Sequence, residues 1–144
     1  MQRSRVVDGI PDAGRIKTSE KLREYLHADL AFLYKRRSRH EAHKIEEMAV
    51  VGEVEGRPCV IVDDMIDTAG TLTSGAESLH AMGAREIYAA ATHPVLSGPA
   101  VDRLKNSRIK EVTVTNTLPL NSEKELDKLT VLSIAPTIAQ TVKA

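Results

Sequence analysis

The sequence predicts an α/β protein: a three-layer, doubly wound and mostly parallel sheet with helices on both faces. Two observations lead to this prediction. Short runs rich in β-branched residues alternate along the chain with longer segments of helical period, as in repeated strand–helix–strand units. One run, Val60, Ile61 and Val62 within "RPCVIVDD", lacks polar alternation, which is typical of a strand buried on both faces of a parallel sheet.

The strands are predicted from short apolar or β-branched runs bounded by polar or turn residues. In chain order they are "SRVV", "DLAFLY", "RPCVIVDD", "REIYAAATH", "EVTVTNT" and "LTVLSIA". Each is short enough for a strand of a single domain.

The helices are predicted from apolar residues recurring on one face and from their end signals. They are "RIKTSEKLREYLHA", "TLTSGAESLHAMGA", "GPAVDRLKNS" and "PTIAQTVKA". Gly83 is placed to end the second helix, while Pro99 and Pro136 lie near the starts of the third and fourth.

The stretch between the second strand and the central strand is harder to assign. "KRRSRHEAHKIEEM" is densely charged and predicts a loop or a weak helix. "AVVGEVEGRPC" predicts a small β-hairpin arm that turns at Glu55 and Gly56 and leads into the central strand.

Composition limits the classes of function. The 144 residues, 42% of them hydrophobic, fit a single domain spanning 1–144. Twenty basic residues balance twenty acidic ones, so nothing in the overall charge points to a nucleic acid or a membrane surface. The single cysteine, Cys59, cannot form an internal disulfide, and we expect a cytoplasmic protein.

The segment "DDMIDTAGT" follows the central strand directly, where ligands bind in open α/β sheets. Its small residues let the backbone curl, so that amide groups and the next helix N-terminus suit a phosphate dianion. Adjacent Asp63 and Asp64 would repel a phosphate and better suit sugar hydroxyls beside it. The alternative is a helix cap formed by Asp67 or Thr68, which would account for one acid and not for three.

"VIVDDMIDTAGTL" resembles the phosphoribosyl pyrophosphate loop of type I phosphoribosyltransferase folds, and its form is most similar to that of the ribose-phosphate pyrophosphokinases. Other segments agree in order: "PDAG" at 11–14, "KRR" at 35–37, "VVGEVEGR" at 50–57, "ATHPVLSGPA" at 91–100, "VTNTLPL" at 114–120 and "TVLSIAPTIA" at 130–139. The resemblance covers nearly the whole chain.

The resemblance implies transfer of the β,γ-diphosphoryl group of ATP to ribose 5-phosphate, which gives phosphoribosyl pyrophosphate. Asp63 and Asp64 would hold the ribose 2- and 3-hydroxyls. The residues implied to wrap the 5-phosphate are Asp67, Thr68, Ala69, Gly70 and Thr71.

Two further roles come from the same resemblance. Asp12 in "PDAG" would help hold Mg²⁺, largely through water. Lys35 and Arg37 would act as catalytic residues from a loop that closes over the triphosphate and stabilises the charge that shifts during transfer. From composition alone, "KRRSR" is also compatible with a solvated basic loop.

The chain resembles only the C-terminal half of these enzymes. Since the other half supplies much of the adenine pocket, we expect weak ATP binding and little catalysis by the chain alone. Two alternatives are a stand-alone phosphoribosyltransferase and a noncatalytic regulatory or assembly protein. A homodimer through the hairpin arm is a further expectation.

Overall fold

The structure, a computed structural model, describes residues 5–9, 13–36 and 47–144. Within them the strands are β1 (Arg5–Gly9), β2 (Asp29–Arg36), β3 (Glu47–Val51), β4 (Pro58–Ile66), β5 (Glu86–Pro94), β6 (Ile109–Thr115) and β7 (Leu129–Leu132). The helices are α1 (Ala13–Leu26), α2 (Gly70–Ala81), α3 (Ala100–Lys105) and α4 (Ala135–Lys143), with a short 3-10 turn at Ser122–Lys124. These elements confirm the predicted alternation of strands and helices.

The seven strands form one sheet in the order β3-β2-β1-β4-β5-β6-β7. All neighbouring pairs are parallel except β2 and β3, which are antiparallel. From β1 the chain moves outward to β2, whereas from β4 it moves outward in the opposite direction through β5 and β6. The order therefore reverses between β1 and β4, and a crevice opens beside the carboxyl ends of such strands.

This reversal also distributes the helices over the two faces of the sheet. Right-handed crossovers place α1 on one face and place α2 and α3 together on the other. Contacts between α2 and α3, and between α2 and β1, β3, β4 and β5, agree with this arrangement. The doubly wound prediction is confirmed, and none of the described helices is both long and apolar enough to cross a bilayer.

The main core lies between the sheet and the helices α2 and α3, which pack on one of its faces. Fully buried side chains from β2, α2, α3 and β6 meet there, including Leu33, Leu79, Leu104 and Val112. Gly75 of α2 lies so close to the sheet that an added Cβ would stand 2.8 Å from Cδ1 of Leu33. The absence of a side chain at this position therefore sets how closely α2 approaches β2.

The hairpin arm is the part of the predicted fold that requires correction. A turn does lie at Glu55 and Gly56, where the Arg57 amide donates to the Val54 carbonyl at 3.1 Å. The strand before the turn, β3, does not pair with β4. It pairs with β2 instead, with Tyr34 opposite Ala49. The reason is geometric: β1 and β5 already occupy both edges of β4, whereas the outer edge of β2 is open to another strand.

Candidate functional site

The loop between β4 and α2 lies at the carboxyl edge of the sheet, directly beside the reversal of strand order between β1 and β4. Ile66 at the end of β4 is 3% exposed and Ala69 is 5% exposed, so apolar side chains anchor both ends of the loop. Ala69 has a φ of 61°, in the left-handed region, and α2 begins at the next residue. This backbone makes a tight curl immediately before a helix N-terminus.

The helix-cap alternative is wrong for this loop. Ala69 occupies the capping position of α2, and no side chain in the described part of the chain caps the helix by a hydrogen bond. Asp67 and Thr68 therefore do not act as caps, and the first amides of the helix remain directed at the loop.

The loop carbonyls accept hydrogen bonds from the neighbouring β5–α3 segment. The amides of Leu96 and Ser97 donate to the carbonyls of Ile66 and Asp67 at 2.9 and 3.0 Å. The Ser97 hydroxyl donates to the Asp67 carboxylate, and Nη1 of Arg103 donates to the Thr68 carbonyl at 3.0 Å. Three successive carbonyls are thus paired by donors about 30 residues further along the chain.

The donors of the same loop are arranged differently. Among the described residues, the amides of Thr68, Ala69 and Gly70 donate to no other group, and neither do the hydroxyls of Thr68 and Thr71. Successive backbone amides beside a helix N-terminus form a concave, partly positive surface that binds anions. The loop therefore has the chemistry of an anion site.

Lys35 faces this loop across a cleft. It belongs to β2, and the cleft of about 250 Å³ is lined by Lys35, Met48, Thr68, Gly70, Thr71 and Ser74. The structure thus brings together a lysine and a loop that are more than 30 residues apart in sequence. Arg37 and Asp12, the other two residues assigned to this site from sequence, lie outside the described residues.

Asp63 and Asp64 lie near the carboxyl end of the strand β4, beside the loop. The Asp63 carboxylate accepts the Asp64 amide at 2.7 Å, and the Asp64 carboxylate accepts the Met65 amide at 2.9 Å. As successive residues of a strand they point to opposite faces of the sheet. Asp63 shares the α2 face with buried Ile61, whereas Asp64 is exposed on the other face.

The carboxyl end of β5 carries a separate polar group around His93. His93 Nδ1 lies 2.9 Å from the Thr117 hydroxyl, and that hydroxyl donates to the Thr92 carbonyl at 3.3 Å. These bonds join β5 to the segment that follows β6. His93 thus makes a structural hydrogen bond at this end of the sheet.

Metal-binding residues do not gather in the described part of the chain, where no three His, Cys, Asp or Glu side chains lie close enough to hold an ion together. A Mg²⁺ ion bound mainly by substrate phosphates and water needs only one or two protein carboxylates. The donor set at the end of β4, Asp63 and Asp64, is compatible with that requirement.

Sequence reasoning did not assign Ser97 and Arg103 to the site. Both residues are far from the β4–α2 loop in the sequence, and Arg103 occupies an exposed position of a helix. Ser97 does lie inside "ATHPVLSGPA", one of the segments that carried the resemblance, and that segment was the available signal.

The family model described as the phosphoribosyl synthetase-associated domain matches residues 27–144. The chain belongs to this family. The resemblance noted from "VIVDDMIDTAGTL" is therefore confirmed at the level of the family, and the matched residues include the whole β4–α2 loop.

Curated relatives agree with this assignment. The chain is 52% identical over 143 residues to the ribose-phosphate pyrophosphokinase of Streptomyces coelicolor, covering 99% of this chain and 44% of the relative. It is 46% identical over 133 residues to that of Clostridium acetobutylicum, covering 92% of this chain and 41% of the relative. The chain thus spans less than half the length of these relatives.

Solved structures confirm the fold. The phosphoribosylpyrophosphate synthetase of Mycobacterium smegmatis superposes with a TM-score of 0.85 at 43% identity, covering 99% of this chain and 45% of that one. An adenine phosphoribosyl transferase from Trypanosoma brucei gives 0.59 at 17% identity, covering 97% and 69%. The second likeness bears on the fold alone, and it places the family among phosphoribosyltransferase-like folds.

Proposed function

We propose that this chain is the ribose 5-phosphate-binding part of a ribose-phosphate diphosphokinase, which forms phosphoribosyl pyrophosphate and AMP from ribose 5-phosphate and ATP. The observation that carries the proposal is the β4–α2 loop, whose carbonyls are paired while the amides of residues 68–70 and the threonine hydroxyls donate to no other group of the described residues. A monoester dianion matches such a set of donors.

In this proposal the 5-phosphate lies against residues 67–71, and the ribose hydroxyls lie toward β4. Carboxylates accept hydrogen bonds from hydroxyls, which suits Asp63 and Asp64 to the sugar. Because the two side chains leave β4 on opposite faces, a sugar that contacts both must sit over the end of the strand.

The transfer step is assigned to the basic residues. Lys35 lines the same cleft as Thr68 and Thr71, which supports a role for it beside the phosphates that would meet the loop. With Arg37 it would stabilise the negative charge that shifts between oxygens during diphosphoryl transfer. Mg²⁺, held in part by Asp12, would neutralise further charge on the triphosphate.

The 144-residue chain on its own should bind ribose 5-phosphate and phosphoribosyl pyrophosphate, and should bind ATP weakly. Orienting two reactants contributes roughly 7–11 kcal/mol to lowering a barrier, and in this proposal the described residues orient only the sugar phosphate. We place the reaction in the cytosol, which is compatible with the buried free thiol of Cys59.

Self-association is a further part of the proposal. β3 and β7 are the outer strands of the sheet within the described residues. Edge strands offer unpaired backbone groups to a second copy, and two β3 edges could pair in this way to form a homodimer. Light scattering across a concentration series tests this, and a mass of one chain throughout would contradict it.

Binding is tested by titrating the ¹⁵N-labelled chain with ribose 5-phosphate and following the amide signals. We expect the largest shifts at residues 67–71. The Asp64→Asn change should weaken the binding of ribose 5-phosphate and leave the binding of inorganic phosphate unchanged. Glu123→Gln, which removes an exposed carboxylate of the 3-10 turn, is the matched control. Unmoved signals at residues 67–71 beside shifts elsewhere would show that the anion binds at another place.

Transfer is tested by measuring AMP and phosphoribosyl pyrophosphate with Mg²⁺ and ATP present. We expect turnover near background for the chain alone, and a large increase when the remainder of a relative such as the Streptomyces coelicolor enzyme is supplied in trans. Robust turnover by the purified chain would contradict the expectation that ATP binding is incomplete.

A further inference from the structure

Arg103 of α3 reaches across to the β4–α2 loop. Its Nη1 donates to the Thr68 carbonyl at 3.0 Å, a bond between residues 35 positions apart. The guanidinium of this exposed residue is thus directed at one carbonyl of a loop that is distant in sequence.

The bond fixes the orientation of one peptide plane. In a trans peptide the carbonyl oxygen and the following N–H point in opposite directions. The described backbone contains no cis peptide bond. When Arg103 holds the Thr68 carbonyl toward α3, the Ala69 amide must point away from α3, on the side of the loop that the proposed phosphate occupies.

Gly70 gives an independent indication that the position of Arg103 is built into the loop. A Cβ at Gly70 would lie 3.1 Å from Nη1 and 3.8 Å from Cζ of Arg103. Gly70 does not have a positive φ, so its backbone conformation does not call for glycine. A methyl group at this residue would make a tight contact with the guanidinium, which would have to shift by a few tenths of an ångström.

We infer that Arg103 is a positioning residue of the phosphate loop: it holds the Thr68–Ala69 peptide so that the Ala69 amide faces the anion, and Gly70 makes the room it requires. Arg103 touches neither the sugar nor the reacting atoms in this arrangement. The inference rests on the proposed function, because it concerns the same loop and the same anion.

The first test measures the affinity of the full 144-residue chain for inorganic phosphate and for ribose 5-phosphate by calorimetry. Arg103→Met should weaken both by about three- to tenfold, the effect of losing one hydrogen bond. The matched control is Arg108→Met, which removes the same charge from an exposed arginine that pairs with Glu77 at 3.5 Å and does not touch the loop. This control should leave both affinities unchanged, and an equal loss in the two variants would overturn the inference.

The second test needs no ligand. The ¹³C shift of the Thr68 carbonyl reports whether it accepts a hydrogen bond, and Arg103→Met should move it upfield together with a change at the Ala69 amide. Arg108→Met should move neither signal. An unmoved Thr68 carbonyl in Arg103→Met would overturn the inference even if phosphate affinity fell.

A double-mutant cycle completes the design. Gly70→Ala should weaken phosphate binding severalfold in the wild-type background, and less in the Arg103→Met background, because the displaced guanidinium is already gone. Equal losses in both backgrounds would overturn the steric part of the inference. If the wild-type chain did not bind phosphate, the proposed function itself would be contradicted. If the wild-type chain bound phosphate and the Arg103 variants did not show the expected changes, only the inference about Arg103 would be contradicted.

Discussion

Two neighbouring junctions at the carboxyl edge of the sheet invite comparison: the loop at 67–69 between β4 and α2, and the loop at 95–99 between β5 and α3. Both place a non-glycine residue in the left-handed region, Ala69 with φ 61° and Leu96 with φ 48°. They differ in the groups that they present to each other. The first offers carbonyls and the Asp67 carboxylate, and the second offers amides and the Ser97 hydroxyl.

This difference explains how a loop can be held firmly and still keep donors for a ligand. A tight loop must pair its backbone groups, and pairing both donors and acceptors internally would leave nothing for an anion. Here the β5–α3 loop donates hydrogen bonds to the β4–α2 loop, so the bonds between them pair only the acceptors of the β4–α2 loop. The second junction is held in turn by burial, since Leu96 is 3% exposed.

The largest expected effect on stability comes from removing the buried side chain of Leu96. Leu96→Gly should destabilise the fold by about 2–4 kcal/mol, because a buried leucine side chain is lost. Ala69→Gly should change stability by less than about 1 kcal/mol, because glycine adopts the left-handed conformation without strain and this relief offsets the loss of a small buried methyl group. Urea unfolding of the two variants measures both values. Similar losses at the two positions would break the distinction between an anchored junction and a hydrogen-bonded one.

A smaller effect is expected where α2 meets the sheet, since α2 carries the first junction. Gly75→Ala should destabilise by about 1–3 kcal/mol, because its Cβ would overlap the Leu33 side chain. The space can be restored by shortening that neighbour, so Leu33→Val combined with Gly75→Ala should cost less than the sum of the single changes. Strict additivity in thermal unfolding would show that the two residues do not compete for the same space.

The sequence predicted most of this edge of the molecule, but not its cross-connections. The unalternating run at Val60 predicted the central strand, and the small residues after Asp67 predicted the curled loop, because both signals are local. The partner of β3 was not predictable in the same way, since a turn at Gly56 does not determine which sheet edge is open. Arg103 and Ser97 were missed for a related reason: each contact depends on how two distant loops come together.

Ser97 allows a finer test of how the second junction supports the first. Ser97→Ala removes the hydroxyl bond to Asp67 but keeps the amide bond to the Asp67 carbonyl, so a loss of about 0.5–1.5 kcal/mol in stability is expected. Ser107→Ala is the control, because the Ser107 hydroxyl donates to the Leu104 carbonyl and accepts from the Ile109 amide, and neither group belongs to the loop.

Ser107→Ala should lose at least as much stability as Ser97→Ala, because it removes two hydrogen bonds, but only Ser97→Ala should weaken ribose 5-phosphate binding. Calorimetric titration of both variants measures this. If Ser107→Ala weakened binding as much, the loss would reflect a general loosening of α3 and its surroundings, and the specific role of the Ser97 hydroxyl would be refuted.

The smallest effect is expected at the opposite edge of the sheet, where Glu86 begins β5 and pairs with Lys110 at 2.8 Å. The Lys110 ammonium, by its hydrogen bond, lowers the pKa of Glu86, and the Tyr88 hydroxyl adds to the same effect. A carboxyl group whose pKa is lowered by folding stabilises the protein above its unfolded value, near 4.3, and loses that contribution as the pH falls through the lower folded value. Glu86→Gln should therefore be slightly less stable than the wild type at pH 7, with a difference that shrinks toward pH 3. The change in stability should be small because the pair is exposed to solvent.

Phosphate affinity at pH 7 should not change in Glu86→Gln, because Glu86 and Lys110 lie at the opposite ends of their strands from both junctions. Denaturant unfolding across this pH range, with phosphate titration at pH 7, decides the matter. A gap that widened on acidification would contradict the sign of the linkage, and weakened phosphate binding would mean that the site depends on more than its own edge of the sheet.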